Sequence, residues 1–270
     1  MSRIEIIHGI KMVNIPAGSF LMGHVYTFDP KQPENVNRYY PDEQPVLKKS
    51  IKAFQIGETT VTQKQYGTIV GPDNNRSTFK GDNLPVTNIG PHEIMLFCNR
   101  ISKSANLDSC YDENVKRGSA NYLKCDFTKN GFRMPTEAEW EYACRAGTTT
   151  HFYTGNSESD LDRAGWYLGN SSGKTHSVGL KEPNSWGLYD MHGNVFEFCG
   201  DNWNTNMCYG KYITERDEDL IFHYYHQMHI TRGGSWFNEP SVCRSAARAC
   251  FCSWPRMNGW YNGFRLARNA

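Results

Sequence analysis

Apolar residues keep a helical period in two stretches of this chain and alternate like strand residues in a few short ones. Near the carboxyl end they keep neither. In residues 92–101, Ile94, Phe97, Cys98 and Ile101 form one stripe at helical spacing, which predicts a helix. Residues 132–145 carry a second: Thr136 with Glu139 three positions on is a capping box, and Gly147 closes the helix. Thr60 and Thr62 are both cap candidates for a turn running through Tyr66. Residues 11–23 read as a hairpin of two short strands around Pro16-Ala17-Gly18, residues 52–57 as a strand, and Ile230-Thr231 as another. Residues 26–43 read as a polar loop, and the chain from Thr148 onward reads as mostly irregular.

The tail sharpens this picture. Arg232-Gly233-Gly234-Ser235-Trp236, Cys243-Arg244-Ser245-Ala246-Ala247-Arg248 and Asn262-Gly263-Phe264-Arg265-Leu266-Ala267-Arg268 look like turn and strand chemistry, with glycines where backbone must turn tightly and Phe264 and Leu266 alternating with Arg265 and Ala267. Between these frame segments lie residues 237–242 and 249–261. The latter run, Ala-Cys-Phe-Cys-Ser-Trp-Pro-Arg-Met-Asn-Gly-Trp-Tyr, fits no periodic template. Large apolar groups without a period make a poor core and a good contact surface. The frame arginines Arg232, Arg244, Arg248 and Arg265 are expected to hold carboxylates and carbonyls of the scaffold, with Trp236 beside them.

Composition narrows the class. The chain has 270 residues, 39% hydrophobic and 21% charged, with 13% aromatics, 24 Gly and 12 Pro. That is a loop-rich α+β domain with an aromatic core, read as a single domain over residues 1–270. With 29 basic and 28 acidic residues and no basic tract, nucleic acid is not an expected partner, and no apolar run reaches the length of a spanning helix. The N-terminus does not read as a secretory signal. Nine cysteines include no C-x-x-C pair. Cys98, Cys144 and Cys199 read as buried thiols, whereas Cys110 and Cys125 flank a short segment and could pair in an oxidising compartment. The spaced histidines His223, His226 and His229 read as a surface insertion rather than a metal cluster.

Several segments together resemble the formylglycine-generating-enzyme (sulfatase-modifying factor) family, whose fold is a variant of the C-type lectin fold. They are Met12-Val13-Asn14-Ile15-Pro16-Ala17-Gly18-Ser19-Phe20-Leu21-Met22-Gly23, Arg133-Met134-Pro135-Thr136-Glu137-Ala138-Glu139-Trp140-Glu141-Tyr142-Ala143, Gly187-Leu188-Tyr189-Asp190-Met191-His192-Gly193-Asn194-Val195-Phe196-Glu197, Arg232-Gly233-Gly234-Ser235-Trp236 and Gly263-Phe264-Arg265. The resemblance implies a structural calcium held by the side chains of Asp190 and Glu197 and the backbone carbonyls of Gly193 and Val195, hard oxygen donors suited to that ion. It also implies where catalysis would sit. The two cysteines with which such enzymes bind copper correspond to Pro240 and Ser245, and neither supplies a thiolate, so neither copper nor enzymatic activity is expected.

The same tail resembles the variable proteins of diversity-generating retroelements, in which a fixed frame surrounds diversified positions. This resemblance implies a non-catalytic ligand-binding protein with a variable C-terminal segment, residues 232–268. Its binding surface would comprise Phe237, Asn238, Glu239, Val242, Cys250, Phe251, Cys252, Trp254, Met257, Asn258, Trp260 and Tyr261, rich in residue types that anchor interfaces. The expected partner is a macromolecule, most simply a protein, met by a monomer, and the expected place is the bacterial or phage surface as an exported lipoprotein, with a cytoplasmic protein as the other option. Two alternatives stand beside it: a copper-dependent oxidase of the same superfamily with displaced cysteines, and an accessory protein with one fixed partner.

Overall fold

The computed structural model describes residues 5–24, 43–115, 124–202, 228–252 and 259–270. Two four-stranded sheets organise them. The first holds β1 (Glu5–Ile7), β2 (Ile10–Ile15), β5 (Phe54–Gly57) and β12 (Ala267–Asn269), in that spatial order and antiparallel throughout. The chain's two ends therefore share one sheet. The second runs β10 (Arg248–Cys252), β9 (Met228–Arg232), β8 (Phe196–Asn202) and β11 (Asn262–Gly263), the last parallel to β8. A ribbon of β3 (Gly18–Met22) with β4 (Leu47–Ile51) and a short parallel pair of β6 (Gly165–Trp166) with β7 (His192–Gly193) complete the strands among the described residues.

The expected hairpin at residues 11–23 does not form. β2 and β3 are both strands, but β2 lies between β1 and β5, and β3 pairs with β4. Pro16 and Ala17 pass the chain from one sheet to another, whereas the true hairpin turns at His8 and Gly9, both at positive φ. Nor is the chain irregular after Thr148: β6 to β12 all follow it.

Four helices are present among the described residues: α1 (Gln63–Val70), α2 (Pro91–Ser104), α3 (Glu137–Arg145) and α4 (Glu158–Ala164). Thr62, not Thr60, caps α1, in a reciprocal box with Gln65. The stripe foreseen on α2 is buried: Ile94, Phe97, Cys98 and Ile101 pack with Phe132, Met134, Phe264 and Leu266. Each large apolar side chain so buried contributes roughly 1.5–3 kcal/mol. The second expected helix is shorter than the sequence suggests. It begins at Glu137 behind the Thr136–Glu139 box, because Arg133 pairs as a strand residue with Ala267 before the chain turns. Ala146 ends it in the left-handed region, and Gly147 follows at φ 94°. The Ser157–Asp160 box that starts α4 was not foreseen. Cys98, Cys144 and Cys199 are all fully buried, as expected. Of the three spaced histidines, His229 is a buried residue of β9, not part of a surface insertion, while His223 and His226 lie outside the described residues. So does the loop read at residues 26–42.

Candidate functional site

Helix α3 is a rail of carboxylates. Its sequence Glu137-Ala138-Glu139-Trp140-Glu141 places three acids against four arginines, Arg133 and Arg145 from flanking residues and Arg232 and Arg248 from the distant tail. Glu137 takes Arg248 in a two-pronged bond (2.5 and 2.7 Å), and Glu139 takes Arg133 (2.7 and 2.7 Å). Glu141 is shared between Arg145 (2.9 Å) and Arg232. The Arg232 guanidinium has no exposure to solvent. It also donates to the carbonyls of Ala246 and Ala247 (2.7 and 2.5 Å) and lies over the Trp140 ring. Arg244 makes the same fork with Glu43 (2.9 and 2.7 Å), and Arg265 with Glu197 (2.6 and 2.6 Å). All four frame arginines are thus scaffold groups. A guanidinium matches a carboxylate in two parallel bonds, so each pair fixes position as well as charge. Residues 262–267 are all buried, so Arg265 meets its carboxylate inside the body.

Gly233 and Gly234 make the turn that leads into the site, at φ 90° and 70°. A β-carbon on Gly234 would stand 2.6 Å from the Cys243 sulfur, so this crossing admits only glycine. Backbone bonds then lock the turn to the loop after α4: Gly193 N–H donates to the Gly233 carbonyl (2.7 Å) and Trp236 N–H to that of Asn194 (2.9 Å). Trp236 itself is buried.

Beyond this lattice the chain opens outward. Phe237 is 58% exposed and Trp260 40% exposed, among the most exposed large apolar side chains described. Glu239 is exposed, and Asn238, Val242 and Tyr261 are half-buried. Asn238 is partly committed, its side chain accepting from Ser235 Oγ (2.5 Å) and its carbonyl from Leu168 N–H (2.9 Å). Cys250, Phe251 and Cys252 were read within an aperiodic loop. Their backbone instead belongs to β10, paired with Ile230, His229 and Met228 of β9. Trp254, Met257 and Asn258 lie outside the described residues. The structure therefore brings Phe237, Glu239 and Trp260 to the surface beyond the frame.

The loop expected to hold calcium is built around a buried carboxylate. Asp190 is buried at φ 55°, and its Oδ2 accepts from Gly179 N–H (2.7 Å). Its Oδ1 is buried with no hydrogen-bond partner, and burial pushes its carboxyl up to about 6. An orphaned anionic oxygen of this kind suits a hard cation. Glu197 is engaged elsewhere: Oε2 accepts from Trp140 Nε1 (2.7 Å) as well as Arg265, and Oε1 accepts from Arg265 alone. Only Oε1 has a lone pair left to offer.

Pro240 opens a short 3₁₀ turn (Pro240–Cys243), and Ser245 is fully buried. Ser245 Oγ donates to the His151 carbonyl (3.0 Å) and accepts from the Cys144 thiol (3.7 Å). Burial pushes that thiol up to about 12. His192, 3.8 Å from the Cys144 sulfur, is held neutral by burial, its pKa lowered to about 3. A neutral thiol beside a neutral imidazole is a packed pair, not an activated nucleophile. Among the described residues no group of three or more His, Cys, Asp or Glu side chains could hold a metal ion.

Sequence reasoning missed the partners rather than the arginines. Glu43, Glu137 and Glu141 carried no local signal beyond a helix start, because what they bind lies about 90–200 positions away, as the Arg232–Glu141 and Arg244–Glu43 pairs illustrate. A polar groove of about 560 Å³ beside His8, Lys11, Glu58 and Gln65 was not foreseen either, and it shares no residue with the tail.

An arginine-clamped, loop-rich α+β body of this kind defines the formylglycine-generating-enzyme variant of the C-type lectin fold. The chain belongs to the sulfatase-modifying factor enzyme 1-like domain family, whose profile matches residues 5–270. Treponema denticola variable protein 1 superposes with a TM-score of 0.78 at 30% identity, covering 99% of each chain. PvdO from Pseudomonas aeruginosa shares the fold, with a TM-score of 0.73 at 24% identity. Among sequence relatives, the chaperone protein LppX of Paenibacillus barcinonensis is 31% identical over 70% of this chain and 71% of its own length. The formylglycine-generating enzyme of Thermomonospora curvata is 33% identical over 51% of this chain, which spans about half (49%) of that enzyme.

Proposed function

We propose that the protein is a non-catalytic ligand-binding protein that presents a diversified surface from its C-terminal segment. The observation that carries this reading is the division of labour in residues 232–268. Every frame arginine is spent on a carboxylate inside the body, while Phe237 and Trp260 stand exposed beyond it. Such a surface can change identity without unloading the scaffold. The likeness to a variable protein over 99% of both chains supports the reading. Proline at position 240 and a buried serine at 245 leave an oxidase without its two thiolates, and the Cys144 thiol near Ser245 is buried and protonated.

The ligand is a macromolecule, most simply a protein on another cell or particle, met by a single copy of the chain. No helix of the described residues is long and apolar enough to cross a membrane. Two measurements test the reading. Immobilised full chain and a chain whose residues 249–261 are replaced by glycine and serine are compared for capture at equal thermal stability. A ligand kept by the first and lost by the second supports the proposal, and equal capture by both overturns it. Sequencing the 3′ end of the gene and its surroundings should reveal a near-copy that differs at adenines only, confined to the codons of the filling.

Calcium is part of the proposal on the strength of the Asp190 oxygen. Asp190 would hold the ion with the Gly193 and Val195 carbonyls, and Glu197 would contribute through Oε1. The ion would neutralise the buried carboxylate and brace the loop that meets Gly233. Chelation should then lower the melting temperature of the wild type and leave Asp190→Asn unmoved; equal responses would remove calcium from the account.

A further inference from the structure

We propose that Cys110 and Cys125 form a disulfide site, a pair of thiols poised to close when the protein meets an oxidising compartment. The inference stands apart from the ligand-binding reading and concerns the body that carries the tail.

Three observations carry it. Both cysteines are free, Cys110 buried and Cys125 half-buried. The backbone around them is already paired, because Tyr111 bridges Cys125 in antiparallel fashion and Asp126 N–H donates to the Cys110 carbonyl (2.8 Å). Both sides of the pair are anchored. Tyr111 exchanges bonds with Asn99 of α2 (2.8 and 3.2 Å), and its hydroxyl accepts from Met134 N–H (2.9 Å). Across from it, Asp126 caps the following turn through Thr128 N–H (2.9 Å), and Asn130 Oδ1 accepts from Asp108 N–H (2.8 Å). Cysteines carried on backbone segments already paired side by side meet the main requirement for a bridge, which is reach without backbone movement.

The chemistry favours this pair over its neighbours. Cys110 is held below the usual thiol range, first by the hydrogen bond from Cys125 and then, against burial, by Arg133 and the Gly131 N–H. Cys125, the donor, is raised by that same bond and by burial. Cys125 is half-buried among exposed Lys124, Asp126 and Phe127, so an oxidant can reach it, whereas Cys98 is sealed in the core. The oxidant is a disulfide, either glutathione disulfide or the active-site disulfide of a thiol oxidoreductase. One thiolate attacks it and displaces a thiolate, leaving a mixed disulfide. The second thiolate attacks the mixed disulfide and displaces the other. Two protons leave the pair, and its two electrons reduce the oxidant to two thiols.

The closed bridge would tie residues 111–124 into a loop. It would also tie the Tyr111 side, which holds α2 and Met134, to the segment that runs into α3. A cross-link of that span raises thermal stability by roughly 6–12 °C in a domain of this size.

The test uses the purified full chain. It is equilibrated in glutathione buffers from reducing to strongly oxidising, trapped by alkylation and mapped by mass spectrometry. The expected result is a linked peptide pair joining Cys110 to Cys125, with a melting temperature that rises as the link forms. Cys125→Ser should melt where the reduced wild type melts, at every potential. Reduced wild type gives the same comparison without a substitution, should Cys125→Ser fail to fold. Free, alkylated Cys110 and Cys125 in the most oxidising buffer would overturn the proposal. So would a dominant link from either residue to Cys98, or a link that leaves the melting temperature unchanged.

Discussion

Arg232 and Trp260 belong to one short stretch of chain and live in opposite environments. Arg232 is wholly enclosed and bonded to Glu141, Ala246 and Ala247. Trp260 keeps 40% of its surface in solvent. Among the described residues, the charged guanidiniums of the frame are inside, and the apolar Phe237 and Trp260 of the filling are outside. That inversion of the usual rule separates the two jobs. Buried charges are tolerated only when paired, so the frame is intolerant of change. Exposed aromatics carry contact area without holding the fold, so the filling is free to change.

The sharpest break in this comparison is Arg232→Ala. It leaves the Glu141 carboxylate with Arg145 as its one cation and frees the three carbonyls of Ser245, Ala246 and Ala247, and should cost about 3–5 kcal/mol. Thermal or urea unfolding should register it as a melting temperature lower by on the order of 10 °C. A smaller stability loss than that from Trp260→Ala would erase the distinction between frame and filling.

Gly234→Ala attacks the frame through backbone rather than charge. The left-handed conformation and the close approach of the Cys243 sulfur together should cost about 2–4 kcal/mol. Equilibrium unfolding reads the loss, and a crystal structure with an unshifted Gly233–Trp236 turn would contradict the reason given.

The frame should also have a pH signature. Burial lowers the His229 pKa to about 4, and its Nδ1 has no hydrogen-bond partner. An unfolded histidine titrates near 6.5. The folded state therefore disfavours the proton: the full stability is present above about 6.5 and is lost progressively as the pH falls towards 4. At pH 5 the loss is roughly 2 kcal/mol. Asp201 opposes it, because burial raises its carboxyl to about 6 and acid relieves that cost. His229→Leu should flatten the acid limb of a stability–pH curve; an unchanged slope between pH 7 and 5 would show that His229 is not buried neutral.

The mildest change is expected in the filling. Phe237→Ala or Trp260→Ala should move stability by no more than about 0.5 kcal/mol. The same substitutions should weaken a bound ligand by about 2 kcal/mol wherever they sit at the centre of contact. Titration calorimetry beside thermal melts separates the two readings, and a large melt shift would place these rings in the core after all.

How much of this was legible in the sequence follows from how local each signal is. The Thr136–Glu139 cap, the α2 stripe and the turn glycines are set by residues a few positions apart, so spacing revealed them. The arginines also declared themselves, since a run of guanidiniums beside glycine and small residues has few uses other than clamping. Their carboxylates did not, because Glu43 meets Arg244 from across the chain. Strand partners failed for the same reason: β2 chose β1 and β5 over the nearby β3. β10 was hidden because its order comes from β9, not from an alternation of its own. Glu197 shows the limit of a motif. The family resemblance implies a ligand for an ion there, yet Arg265 and Trp140 occupy most of its oxygens.

One arrangement in the second sheet reaches beyond which residues the filling contains. On one side of residues 253–261, β10 is zipped to β9; on the other, β11 is zipped to β8 with Asn262 opposite Phe196 and Gly263 opposite Glu197. Both ends are thus stapled to adjoining strands at fixed points. The entropy of closing such a span rises only with the logarithm of its length, about 0.6 kcal/mol for each doubling. Insertions and deletions between these staples should be absorbed almost as readily as substitutions, so a lineage carrying this body could vary the length of the span as well as its spelling.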